Sequence, residues 1–308
     1  MSLKKIYIKC ADERRRAFCR ITTIAEDRDT GERQVWKEAV WPEGTERLKR
    51  MIQHPSILNP VYPHIQCCPV RVDGDRLVFD YLDGQILLDQ YIAAFENRDR
   101  KTFGELIRRH RDLMMTAESN QKTFEPTENF EEWFGDPSPY AGKNGLRVSN
   151  LDGTAGNILF RHGKAFFIDY EWVMDFSMPE DLVLWYGIQD IWNHIGELEA
   201  FCSPEEAAAE AGIRTDIAVL ENSRKHFFSQ VIKDPDGTSF AEAKAGAARE
   251  LTTQEDLTKK IRSMQVDLQK TCMERDDWRN RYHLIHDSRA WSMYRKIKKV
   301  LPFKSRSK

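Results

Sequence analysis

The chain has 308 residues, 41% of them apolar, with 47 Lys and Arg against 49 Asp and Glu. That is enough to bury one two-lobed core and carry an appendage, the net charge of −2 hides a basic end to the chain, and no nucleic-acid partner is expected. Six cysteines without a CxxC pair, eight histidines without ligand spacing and no apolar run near ~20 residues argue against a disulfide framework, a zinc site and a membrane span; with no signal peptide at the start, a cytoplasmic location is expected.

In chain order, residues 4–10, 18–25 and 34–40 alternate or cluster apolar and β-branched side chains and read as three strands. Lys37 lies in the third, and Val35 and Ala39 share its face, which would present the ammonium over an apolar floor; a solvent-facing lysine on an edge strand is the plainer alternative. The link Ala11-Asp-Glu-Arg-Arg-Arg-Ala17 between the first two strands contains no glycine. Pro42 opens a helix whose Glu43 and Glu46 both point away from its Leu48, Met51, Ile52 stripe. Residues 70–72 and 76–79, joined by Asp73-Gly-Asp75, form a hairpin leading into Asp80-Tyr-Leu-Asp-Gly84. Helical apolar spacing returns at 87–95 and 101–116. Residues 119–145 are irregular, with Phe130, Trp133, Phe134 and Tyr140 scattered among Pro, Gly, Asn and Glu; a sugar-binding shelf and simple packing are both open readings.

The most informative stretch is VSNLDGTAGNILFRHGKAFFIDYE, residues 148–171. Phosphoryl transfer asks little covalent help of a protein, only cations for the phosphates and a carboxylate to orient the attacking oxygen. Asp152, in a loop closed by Gly153 and Gly156, can supply that carboxylate, and Asn157 offers a neutral oxygen suited to a hard cation. Residues 158–160 and 165–168 are short apolar runs joined by Arg-His-Gly-Lys164, which reads as a tight hairpin returning the chain to the same edge. Asp169 would then face Asn157 across one cation, with Glu171 two residues on. Each half alone is an ordinary turn sequence; the two halves joined by such a hairpin are not.

At these residues the chain resembles the aminoglycoside-phosphotransferase-like and lipopolysaccharide-kinase-like branch of the protein-kinase-like superfamily. The variant Ile-Asp-Tyr-Glu-Trp172, followed by Pro179-Glu-Asp-Leu-Val-Leu-Trp-Tyr-Gly187, is most similar to kinase-like domains of bacterial surface-polysaccharide (O-antigen) assembly. The resemblance spans about residues 1–230. It implies an α+β, two-lobed protein-kinase-like fold with a small β-rich lobe over residues 1–82 and a helical lobe over 83–240. It implies ATP and Mg2+ as cofactors, with Asp152 as catalytic aspartate, Asn157 and Asp169 as metal ligands, and Glu171 assisting the metal. Lys37 would grip the nontransferred phosphates, paired with Glu43 or Glu46, of which Glu46 is favoured, and the backbone of Asp80 and Leu82 would hold adenine. Two departures stand out. Asn150-Leu151 replaces the His-Gly that often precedes the catalytic aspartate, and asparagine cannot shuttle a proton. The glycine-rich phosphate loop of ordinary protein kinases is absent.

Beyond the motif, residues 182–195, with Trp185, Tyr186 and Trp192, read as a buried helix. Two alanine-rich stretches, 207–211 and 241–248, flank a zone where the folded domain is expected to end, between 225 and 250. Leu257, Ile261, Met264, Leu268, Thr271, Trp278, Tyr282 and Ile285 form the seam of a coiled coil over 250–287, suited to a homo-oligomer or a partner helix. Residues 288–308 hold eight Lys or Arg and no acid, and as a helix would set Trp291, Tyr294, Ile297 and Leu301 on one face, a basic amphipathic tail for peripheral contact with the inner membrane face. The expected function is an ATP- and Mg-dependent phosphotransferase acting on a hydroxyl of a sugar or glycan in bacterial surface-polysaccharide or lipopolysaccharide assembly. A catalytically weak pseudokinase scaffold that recruits glycan-assembly enzymes is the alternative, and an antibiotic-inactivating phosphotransferase a third.

Overall fold

The computed structural model describes residues 3–11 and 14–232, all within one compact unit, Met1–Ala247. The expected coiled coil, the basic tail and the end of the second lobe past residue 232 lie outside the described residues.

The first third is a five-stranded antiparallel sheet built from β1 (Leu3–Cys10), β2 (Arg20–Asp27), β3 (Arg33–Ala39), β5 (Val70–Asp73) and β6 (Arg76–Asp80), in the order β1-β2-β3-β6-β5. Strand β2 starts later than its sequence pattern suggests because Arg16–Phe18 form a 3-10 turn ahead of it. β1 is an edge strand, largely exposed and carrying Lys4, Lys5 and Lys9, a composition that discourages pairing with another chain. β3 is central rather than an edge, which removes the solvent-facing alternative for Lys37. Helix α1 (Pro42–Arg50) starts with proline in its first turn and buries Leu48, and is followed by a 3-10 turn with buried Met51 and by short α2 (His54–Leu58).

A second sheet, β4 (Gln66–Cys67), β12 (Lys164–Phe167), β11 (Ile158–Arg161) and β7 (Gln85–Ile86) in that spatial order, carries the central motif. Two small sheets brace it: β10 (Ser149–Asn150) with β13 (Val173–Met174), and β14 (Met178–Pro179), β9 (Asn144–Leu146) and β8 (Gln121–Thr123). The helices α3 (Leu87–Glu96), α4 (Arg100–Met114), α5 (Glu128–Phe134), α6 (Glu180–Gln189), α7 (Ile191–His194), α8 (Leu198–Phe201), α9 (Pro204–Ala211) and α10 (Ile217–Val231) make the larger, helical part. Local chemistry fixes their ends: Asp99 accepts from Thr102 N–H at the start of α4, and α9 opens on a Ser203–Glu206 capping box and closes at Gly212, φ 76°. The result is a mixed α+β architecture with the sheet-rich part first.

The structure decides one open reading of the sequence. The 119–145 region is ordered around α5, β8 and β9, and Phe130, Phe134 and Tyr140 are fully buried, so those rings are core and form no sugar shelf. Phe124 and Phe130 meet edge to face at 4.9 Å, and Phe134 stacks on Phe227 at 5.4 Å. The alanine run at 207–211 lies in α9, ahead of the expected domain end, with Ala207, Ala208 and Ala211 buried. Trp185 is buried as expected. Among the described residues no helix is long and apolar enough to cross a membrane.

Candidate active site

The motif converges through backbone register. Ile158 pairs with Phe167 across the β11–β12 hairpin, whose turn places His162 and Gly163 at φ 50° and 77°. One step further the Ile168 N–H donates to the Asn157 carbonyl at 2.9 Å, setting Asp169 beside Asn157. Tyr170 locks the other side: its hydroxyl donates to the Cys68 carbonyl at 2.7 Å, and the Tyr170 carbonyl lies 2.7 Å from His54 Nδ1. The loop bearing Asp152 is tied to the same segment, since β10 pairs with β13 and the Leu151 N–H donates to the Trp172 carbonyl at 2.9 Å.

Within this frame Asp152 Oδ2 accepts from the Trp172 N–H at 2.7 Å. Asn157 Nδ2 donates to the Asp152 carbonyl at 3.1 Å, which turns its amide oxygen away from that bond. Lys37, 4% exposed, reaches from β3 to Asp169 Oδ1 at 2.5 Å, with its ammonium 5.6 Å from the Phe79 ring centre. Asp152, Asn157, Asp169 and Glu171 line one cavity of about 430 Å³, which also takes in Tyr186, Asp190 and Phe227.

The carboxylates of Asp152 and Asp169 are shifted in opposite directions. Burial, reinforced by Asp169 and Glu171, pushes Asp152 up to about 7, against the Trp172 hydrogen bond. Burial acts on Asp169 in the same direction, but Lys37, Arg14 and Arg20 outweigh it and hold that carboxyl below its ordinary range. Near neutral pH Asp152 is therefore poised to take a proton while Asp169 stays anionic.

Two expected partners are placed elsewhere. Glu46 is exposed and lines a second cavity of about 450 Å³ with Glu43, Arg50 and Trp133, while Lys37 pairs with Asp169. Glu171, read as a metal assistant, is occupied instead: Arg14 Nη1 binds both its oxygens at 3.0 and 3.1 Å, and Arg20 Nη2 approaches Oε1 at 3.1 Å. In the expected adenine hinge the Asp80 N–H donates to Pro69 and its carbonyl accepts from the Cys68 thiol. Leu82 packs on the core beside Gly84, where a Cβ would come within 2.4 Å of the Phe160 carbonyl. Both Cys67 and Cys68 are buried, their thiols pushed up to about 12 by burial.

Sequence reading missed three contributors, His110, Arg14 and Arg20. His110 in α4 is fully buried, pushed down to about 4 by burial, and as the neutral ring donates Nε2–H to the Gly153 carbonyl at 2.7 Å. Its place on the Phe103, Ile107, Met114 face, a lone polar ring in an apolar stripe, is the signal that marks it. Asn150, fully buried, steadies the loop from the other side by accepting the Asp152 N–H at 3.1 Å through Oδ1. Arg14 carries no sequence signal beyond the basic run Arg14-Arg15-Arg16, and Arg20 carries none, because their partner lies about 150 residues away.

No family model matches the chain, and no curated protein matches it. Solved structures similar to it include the apoenzyme of macrolide 2′-phosphotransferase MphH from Brachybacterium faecium, 12% identical, with TM-score 0.36 over 78% of this chain and 87% of that one. A macrolide 2′-phosphotransferase type I is 13% identical, with TM-score 0.34 over 84% of this chain and 91% of that one. At such identities and scores neither likeness bears on function, which has to be argued from the residues of this chain.

Proposed function

We propose that the chain is an ATP- and Mg-dependent phosphotransferase of the protein-kinase-like type, acting on a hydroxyl group. The observation that carries this is the meeting of Asp152, Asn157 and Asp169 in one cavity, with Lys37 paired to Asp169 from β3. Among the described residues no group of three His, Cys, Asp or Glu forms a ready metal cage. A sparse donor set of one carboxylate and one amide fits Mg2+, which takes one or two carboxylates and completes its shell with water and substrate phosphates. Asp169 and the Asn157 amide oxygen would hold the ion, whose contribution is to neutralise phosphate charge. Asp152, raised towards neutrality, orients the acceptor hydroxyl and takes its proton. Lys37 exchanges Asp169 for the nontransferred phosphates, and Asp80 and Leu82 border the adenine.

The acceptor we infer is a sugar hydroxyl of a glycan or lipid-linked oligosaccharide in surface-polysaccharide assembly. The supporting observation is the far wall of the cavity, where the half-buried ring of Phe228 stands beside Gln189, Asp190 and Asn193. Flat apolar faces next to hydrogen-bonding groups suit a pyranose. We assign residues 250–287 to oligomer or partner-helix contacts and 288–308 to an anionic membrane surface. Equal vesicle flotation of the full chain and a chain ending at Asp287 would overturn the membrane assignment.

The pseudokinase scaffold remains the second reading, favoured by Asn150 ahead of Asp152 and by the pairing of Lys37 with Asp169 and, among the described residues, with no glutamate. Calorimetric titration of ATP with and without Mg2+ separates the two. The enzyme reading expects Mg-dependent binding that Asp169→Ala abolishes, and a wild-type chain with no ATP affinity would establish the scaffold.

A further inference from the structure

Two guanidiniums share the single carboxylate of Glu171, and they are not equivalent. The side chain of Arg20 is 3% exposed and rises from the sheet floor, whereas that of Arg14 is 31% exposed and reaches in from the rim of the cleft. One positive charge therefore suffices for Glu171, and the second is in surplus at the mouth of a cavity that also holds Asp152, Asn157 and Asp169. Withdrawing the only partner of a buried carboxylate is strongly unfavourable; withdrawing one of two is far less so. Arg20 can thus hold Glu171 while Arg14 leaves.

The backbone under Arg14 is fixed, so only its side chain needs to move. Arg14 bridges to Ile232, and the Arg15 N–H donates to the Val231 carbonyl at 2.8 Å at the end of α10. Arg15 Nη2 adds a bond to the Ser229 carbonyl at 3.2 Å. A guanidinium on an anchored main chain loses little freedom when it changes acid partner, and its planar fork matches phosphate oxygens as well as carboxylate oxygens. Where a glycine-rich loop would offer backbone amides to the phosphates, this chain offers an arginine.

The geometry points to Arg14 as a triphosphate-binding residue: its guanidinium passes from Glu171 to the terminal phosphate of a nucleoside triphosphate, and Arg20 stays to neutralise Glu171. This rests on the phosphotransferase reading and adds to it a residue outside the motif. The Arg14 guanidinium stays charged in the cleft, because Glu171, Asp152 and Asp169 together outweigh the effect of burial.

The test is calorimetric titration of the full chain with Mg·ATP and with Mg·ADP, in wild type, Arg14→Ala, Arg14→Lys and Glu171→Gln. Arg14→Ala is expected to weaken Mg·ATP by ~10- to 100-fold, the range for a charged hydrogen bond, with Mg·ADP nearly unchanged. Arg14→Lys should fall between, keeping the charge without the fork. Glu171→Gln should bind Mg·ATP at least as tightly as wild type, because Arg14 is then released. Equal loss of both nucleotides in Arg14→Ala, no loss of either, or a Glu171→Gln that copies Arg14→Ala would each overturn the proposal and leave Arg14 a structural clasp. A wild type that binds neither nucleotide overturns the phosphotransferase reading itself.

Discussion

The surroundings of Asp152 work against its charge. Its carboxyl is lifted to about 7 by burial and by Asp169 and Glu171, so between roughly pH 4 and 7 the fold keeps a proton that the unfolded chain has released. Stability attached to this group is complete below its unfolded value and is lost as pH rises through 7. Asp152→Asn can keep the bond from Trp172 N–H and removes the penalty, so the variant should be more stable than wild type by about 1–3 kcal/mol at pH 8, with the gain shrinking towards pH 4. Paired denaturant melts at the two pH values check this, and phosphotransfer should vanish in the same protein. His110 behaves oppositely. Its folded value, about 4, lies below the ordinary histidine range, so its contribution is full above pH 6.5 and lost as pH falls towards 4. His110→Phe should cost about 1–3 kcal/mol at pH 7 by orphaning the Gly153 carbonyl, and should flatten the pH dependence of stability between 6.5 and 4.

At the scale of elements, the hairpin β11–β12 and the glycines around it set the site. A Cβ on Gly187 in α6 would lie 2.6 Å from the Gly153 carbonyl and 3.3 Å from His110, both immovable, whereas one on Gly156 would meet only Leu88 at 3.8 Å. Gly187→Ala should therefore be destabilising by about 1–3 kcal/mol in spite of its gain in helix propensity, and Gly156→Ala should leave the melting temperature nearly unchanged. The hairpin was legible in the sequence because its register depends on neighbours: two apolar runs, a His-Gly turn and the residues flanking them. The helices at 87–96 and 100–114 were legible for the same local reason. Residues 119–145 were not, since the burial of Phe130, Phe134 and Tyr140 depends on α10, nearly a hundred residues on, and composition alone cannot show what will cover a ring.

At the scale of the whole molecule, the sheet-rich part and the helical part meet at Trp172. Arg47 from α1 sits 4.3 Å from its ring, Phe18 packs at 5.2 Å, and Phe227 from α10 closes at 4.9 Å. Burial and the like charge of Arg20 push Arg47 down to about 10, so the ring does part of the work that an acid would otherwise do. Trp172→Ala should cost about 3–5 kcal/mol in denaturant melts, the range for deleting a large core aromatic. This junction also shows where sequence reasoning stops. The Asp152, Asn157, Asp169 spacing announces the site, but whether Lys37 meets Glu46 or Asp169, and whether Glu171 faces a metal or two arginines, is decided by how α1 and β2 settle on the later segment.

The most direct measurement is water-proton relaxation with Mn2+ standing in for magnesium, in the presence of ATP. The wild-type chain should give the enhanced relaxation of a protein-bound metal–nucleotide complex, strongly reduced in both Asn157→Ala and Asp169→Ala. No enhancement in wild type, or an enhancement that survives in both variants, would contradict a metal–nucleotide site built on these two residues.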